Sequence, residues 1–311
     1  MKVLVMGSGA IGGFYGGLLA QRGHDVTFVA RGAHLAALRE RGLELRHGEA
    51  STLLNPVRAI ESPAEAGADS ELVIFAVKGY DTESAARALK PAVGPETAVL
   101  TLQNGVDSAE QIGQEIGHEH VLPGTTLINT VVLEPGVIRQ NTDFVRITLG
   151  EASGEVTPRV ERLAETLRDA GVDVTVSTDP KAAIWTKFVM LAPHATMTSA
   201  CQAPLGAIRD TDEGRELYRA LIGEAVAVGR AAGVSLPDDV EEKTFETLMA
   251  FPPPTKTSMQ VDFERGNRVE LNQITGAAVR IGREVGVPTP RFDALYAALK
   301  VRALAAGSLA Q

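Results

Sequence analysis

Lys2-Val3-Leu4-Val5-Met6-Gly7-Ser8-Gly9-Ala10-Ile11-Gly12 stands at the head of the chain. Lys2 to Met6 is a short apolar run of β type. The G-x-G-x-x-G of Gly7, Gly9 and Gly12 follows at once and opens a small-residue helical stretch that Gly23 ends. Glycines are common in turns, so the motif alone says little. Its place between a strand and a helix, at the start of a β-α-β pattern, makes it a dinucleotide-binding signal. Gly7 permits the tight turn, Gly9 lets backbone approach a pyrophosphate, and Gly12 lets helix and strand pack closely. Gly7, Ser8, Gly9, Ala10, Ile11 and Gly12 are therefore the expected phosphate site, with free N–H groups at the helix N-terminus. The bland alternative is a structural glycine turn. Lys2 followed by an apolar run also looks superficially like a signal peptide, but the regularly placed glycines break the run.

The second strand runs through residues 26–30 and ends Phe28-Val29-Ala30-Arg31-Gly32. An NAD enzyme usually carries Asp or Glu there for the ribose hydroxyls. Here no carboxylate is present and an arginine is, which points to the 2′-phosphate of NADP. A solvated arginine at a helix start is the alternative. Two later runs, at 72–77 and 99–102, end in Lys78 and in Gln103-Asn104-Gly105. Ligands sit outside the carboxyl ends of parallel strands. Lys78 is thus a second cation for the adenine side or a solvated lysine. Asn104 is a donor to nicotinamide or substrate, or an ordinary turn asparagine.

Strand runs alternating with helical patterns at 82–89 and 109–116 indicate a parallel, doubly wound sheet, so the fold class is α/β with an N-terminal Rossmann domain. Runs at 125–132 and 145–149, joined across Glu134-Pro135-Gly136, are expected to extend that sheet as an antiparallel edge. A helix at 159–170 and a strand at 172–176 complete it. The character changes near 177–180. Leu217, Leu221, Ile222 and Ala225 recur at helical spacing, as do Leu271, Ile274, Ala278, Ile281 and Val285. Phe251-Pro252-Pro253-Pro254 reads as a rigid loop between helices. The expected domains are 1–178, binding the cofactor, and 179–311, helical, with a ligand cleft between them.

Length and composition agree. At about 150 residues per domain, 311 residues make two. Hydrophobic residues are 44% and charged residues 22%, as in ordinary globular proteins. A net charge of −9 argues against nucleic acid and acidic membranes as partners. One cysteine, Cys201, allows no internal disulfide and fits a cytoplasmic setting. No apolar stretch has the length of a membrane helix.

Within residues 181–191, Ile184, Phe188 and Leu191 share a helix face with Lys187. The ordinary alternative is a lysine that snorkels to water. Held in a cleft, it loses hydration, its pKa falls, and it becomes a proton donor for a developing alkoxide. In Thr257-Ser258-Met259-Gln260, Ser258 starts a helix after the proline loop and offers a carboxylate site, or a plain N-cap. Glu270 is a partner for a cleft lysine or a ribose, or a solvated helix residue. His118 and His120 have no evident third ligand and read as surface residues; no metal is expected.

Taken in order, Gly7-x-Gly9-x-x-Gly12, Arg31, Val77-Lys78, Gln103-Asn104-Gly105, Ile184-Trp185-x-Lys187 and Thr257-Ser258-Met259…Asp262…Glu270 resemble the ketopantoate reductases (2-dehydropantoate 2-reductases) over nearly the whole chain. The resemblance implies a Rossmann domain joined to a helical domain like that of 6-phosphogluconate dehydrogenases. It implies NADPH reducing 2-dehydropantoate to pantoate, on the route to pantothenate, and suggests a homodimer. Lys187 matches the family's proton donor, and Arg31 and Lys78 match its adenine-side contacts. Asn104 matches a residue near nicotinamide and substrate. Ser258, Met259 and Gln260 match a substrate-binding run, and Glu270 a cofactor- or lysine-contacting acid. The family's substrate asparagines, however, correspond here to Leu191, Ala195 and Leu205. Two rivals therefore stand beside ketopantoate reduction: a reductase of another small 2-oxo acid, and an NADPH-binding sensor without turnover.

Overall fold

The computed structural model describes residues 1–309, and the chain divides into two compact units. The first unit takes Met1–Gln103 and Asp107–Ala183; the second takes Asn104–Val106 and the chain from Ile184 onward.

In the first unit the order is β1 (Lys2–Met6), α1 (Ala10–Gln21), β2 (Asp25–Val29), α2 (Gly32–Arg41), β3 (Leu43–His47), β4 (Ala50–Leu54), β5 (Arg58–Ile60), β6 (Leu72–Phe75), α3 (Thr82–Leu89), β7 (Ala98–Thr101), α4 (Ser108–Ile116), β8 (Val121–Leu127), β9 (Thr130–Glu134), β10 (Val137–Gln140), β11 (Arg146–Leu149), α5 (Pro158–Asp169) and β12 (Asp173–Val176). Eight strands form one sheet in the order β12-β11-β8-β7-β6-β1-β2-β5. It is parallel from β5 through β8, and β11 joins β8 antiparallel. Every residue of β6 and β7 is buried, which is why these runs read as unbroken apolar stretches. This is the doubly wound Rossmann arrangement, with the first strand inside the parallel run between β6 and β2.

The expected antiparallel extension holds for β8 and β11 only. The hairpin around Pro135-Gly136 leaves that sheet: β9 and β10 join β3 and β4 in a second sheet, ordered β4-β3-β10-β9. Helix α1 is pressed between the two sheets. A Cβ at Gly16 would lie 2.6 Å from both Phe28 and Val5, and one at Gly17 would lie 2.8 Å from Leu45. Side chains at these positions would push one sheet or the other away. The glycines of α1 beyond the turn therefore serve packing.

The second unit is helical: α6 (Pro180–Cys201, which the division enters after Ala183), α7 (Leu205–Arg209), α8 (Asp212–Ala231), α9 (Val240–Ala250), α10 (Ser258–Arg265), α11 (Thr275–Glu284) and α12 (Pro290–Ala305). The stripe around Leu221 lies in α8, which stops before Gly233 in the left-handed region. The stripe starting at Leu271 becomes helical only at Thr275. The proline loop separates α9 from α10 as expected. No helix among the described residues is long and apolar enough to cross a membrane.

Candidate functional site

The glycine turn joins β1 to α1. Gly7 has φ +94°, and a Cβ there would lie 2.8 Å from the backbone nitrogen of Val77 at the end of β6. Both the left-handed backbone and the close approach require glycine. A Cβ at Gly12 would stand 2.2 Å from the Gly7 carbonyl oxygen, so helix and turn touch there. Beside Gly9 the space is open, with no atom within 4 Å of a would-be Cβ. Gly9 is the N-cap of α1; no side chain caps the helix and its first turn holds no acid. Ala10 and Ile11 begin that first turn, half-buried. Open space, uncapped N–H groups and a positive helix end suit an anionic diphosphate. Ser8 is committed elsewhere: its backbone N–H and its Oγ both donate to the Val29 carbonyl, tying the turn to the end of β2.

Arg31 is the N-cap of α2 and exposed, and its guanidinium has no hydrogen bond or ion pair among the described residues. It stands at a second helix N-terminus just beyond β2. Lys78 is half-buried where β6 ends. Next to Asn104, Gln103 has a role the sequence did not disclose. Its amide donates to the Val77 carbonyl at 3.0 Å and to the Thr82 hydroxyl at 2.8 Å, bracing the ends of β6 and β7.

Lys187, Asn104 and Glu270 belong to the second unit. Trp185 and Phe188 are buried and meet edge to face at 5.4 Å, and Trp185 packs over Gly229 of α8. These anchors fix the rotation of α6. Trp185, Phe188, Val189 and Ala192 form its buried face, while Ile184, Lys187 and Leu191 lie half-buried beside it. The Lys187 ammonium donates to Asn104 Oδ1 at 3.1 Å. Asn104 is held by the turn at Gly105, where φ is +96° and a Cβ would come 3.0 Å from the Gln273 carbonyl oxygen. Burial lowers the Lys187 pKa to about 8, and the negative charge of Glu270 opposes that fall. Glu270 itself is only 5% exposed and sits between α10 and α11, so it is neither solvated nor helical. A lysine whose pKa burial lowers to about 8, bonded to an amide and acted on by a buried carboxylate, is equipped to release a proton.

The start of α10 departs from expectation in detail. Its cap is Thr257, whose side chain accepts the Gln260 N–H, and Ser258 is the exposed first helical residue. Met259 and Gln260 are each 1% exposed, and the Gln260 amide donates to Glu264. Leu191 lies one turn along from Lys187, whereas Ala195 and Leu205 are fully buried. His118 is exposed, but His120 is half-buried and bonds the Thr97 carbonyl, so it is not simply a surface residue. No group of three or more His, Cys, Asp or Glu among the described residues is placed to hold a metal.

Comparison with known proteins agrees with both halves. Residues 3–154 match the family model "Ketopantoate reductase PanE/ApbA", and residues 179–303 match "Ketopantoate reductase PanE/ApbA C terminal". The chain is 34% identical to a 2-dehydropantoate 2-reductase of Mesorhizobium japonicum, covering 99% of each. It is 31% identical to a Bacillus subtilis protein named "Uncharacterized oxidoreductase YkpB", covering 97% of this chain and 98% of that one. The crystal structure of a PanE/ApbA family ketopantoate reductase from Ralstonia eutropha JMP134 superposes with a TM-score of 0.91 at 31% identity, covering 99% and 100% of the two chains. The uncapped glycine turn, the strand order and the helical second unit are thus those of a dinucleotide-binding oxidoreductase, and the chain belongs to the ketopantoate reductase family.

Proposed function

We propose that the protein reduces 2-dehydropantoate to pantoate with NADPH, and that Lys187 is its proton donor. The observation that carries this reading is the Lys187–Asn104 hydrogen bond, on a lysine whose pKa burial lowers to about 8. The reduced nicotinamide, when bound, supplies a hydride. Lys187 hands a proton to the C2 oxygen of the 2-oxo acid as that oxygen gains negative charge. Asn104 fixes the ammonium and orients the reactants. Glu270 keeps the lysine charged enough to act as an acid. Ser258 and the free N–H groups at the start of α10 hold the substrate carboxylate, with Met259 and Gln260 setting that run in place. Gly7 to Gly12 hold the pyrophosphate, while Arg31 and Lys78 take the 2′-phosphate side. The working domains are 1–178 for the cofactor and 179–311 for the substrate.

A second reading, reduction of a different and more apolar 2-oxo acid, is favoured by Leu191 and Ala195, which offer no amide on α6 after Lys187. NADPH oxidation against a panel of 2-oxo acids decides between them. Turnover fastest with 2-dehydropantoate supports the first reading. Fastest turnover of an acid lacking its hydroxyl selects the second. Cofactor binding with no turnover of any acid overturns both.

A further inference from the structure

His34 is the third residue of α2, in the same first turn that Arg31 caps. Its Nδ1 accepts the backbone N–H of Gly136 at 3.2 Å. A ring nitrogen that accepts has no hydrogen, so in the neutral ring the hydrogen sits on Nε2. Nε2 is buried and has no hydrogen-bond partner among the described residues. The Ser8 backbone, in the middle of the glycine turn, is the group that favours its protonated form, while burial disfavours it. The Ser8 carbonyl also lies over Gly13, 2.9 Å from a would-be Cβ there. Gly136 is itself fixed: its carbonyl accepts the Glu44 N–H at 2.8 Å, and a Cβ on it would come 3.2 Å from Ala37 Cβ and from the Gly42 carbonyl. The imidazole thus stands on the fixed turn between β9 and β10, with its buried Nε2 unsatisfied and the Ser8 backbone acting on the ring.

We propose that His34 is a positioning residue for the dinucleotide: anchored to Gly136 through Nδ1, it offers Nε2–H to the Ser8 carbonyl and holds the glycine turn in register with the helix that carries Arg31. A buried donor left without an acceptor is unfavourable. A small closure of the turn, as its N–H groups take up the pyrophosphate, would complete the bond. Its free energy then appears in cofactor affinity and hardly at all in the stability of the free protein. The inference rests on the reading that this turn holds the cofactor.

The test is fluorescence titration of NADPH and NADH into the full chain, with Tm of the free protein measured alongside. His34→Asn keeps an acceptor for Gly136 and loses the distal donor. It is expected to weaken both cofactors alike, by about threefold to tenfold, with Tm little changed. His34→Gln, whose amide N–H reaches as far as Nε2, is expected to regain most of that loss. Wild-type affinity in His34→Asn would overturn the proposal. So would a loss confined to NADPH, which would place His34 on the 2′-phosphate, or a fall in Tm without change in affinity. A wild-type chain that binds neither cofactor would overturn the reading of the turn itself, which is a different failure.

Discussion

Lys187 and Asn104, 83 residues apart in the chain, are joined by a hydrogen bond of 3.1 Å. One stands on the first turns of a long helix, the other in the turn after a central strand of the parallel sheet. Neither is informative alone, since isolated lysines and turn asparagines are usually solvated. Together, burial lowers the lysine pKa to about 8, Glu270 opposes that fall, and the Asn104 oxygen holds the ammonium in place.

With Lys187 as the proposed proton donor, its pKa of about 8 predicts the pH dependence. Reduction requires the protonated amine, so kcat/KM for the 2-oxo acid is expected to be level below pH 8 and to fall above it. Glu270 raises the lysine pKa, so Glu270→Gln is expected to move that limb to lower pH. A pH–rate profile on both proteins checks this; an unmoved limb would remove Glu270 from its role.

Gly9 and Gly12 are expected to respond differently to the same change. A methyl at Gly9 meets nothing within 4 Å, whereas one at Gly12 lies 2.2 Å from the Gly7 carbonyl. Gly9→Ala should leave denaturant stability near wild type and weaken cofactor binding. Gly12→Ala should do both kinds of damage, with a stability loss of about 1–3 kcal/mol. Urea unfolding and cofactor titration separate the two.

Arg31→Ala tests the choice of cofactor. Arg31 is the exposed N-cap residue of α2, just beyond the strand end that lacks a carboxylate. Its removal is expected to weaken NADPH by roughly tenfold to a hundredfold, the range of a charge-assisted contact. NADH binding should stay nearly unchanged. Equal losses for both cofactors would assign Arg31 to something other than the 2′-phosphate.

Much of this was legible in the sequence, for identifiable reasons. The central strands are buried on both faces and so read as unbroken apolar runs. The small sheet was not legible. Its β4 is mostly exposed, β3 alternates, and β3 pairs in parallel with β10, some ninety residues later, so no local pattern announces it. Lys187 stands out in the sequence because a charge beside an apolar stripe is anomalous, whereas its bond to Asn104 appears only in the fold. The burial of Glu270 was not legible, since spacing cannot tell a loop carboxylate packed against a helix from a solvated one. Gln103 and His34 act through backbone groups of distant segments, Val77 and Gly136, and carry no periodic signal.

If Lys187 delivers the proton, removing its amine must slow the chemical step. The most direct measurement is kcat/KM for the preferred 2-oxo acid in Lys187→Ala, with NADPH affinity measured on the same protein. A loss of about a hundredfold to ten-thousandfold in kcat/KM, at near wild-type NADPH affinity, is the expected result. Activity close to wild type would rule Lys187 out as the proton donor.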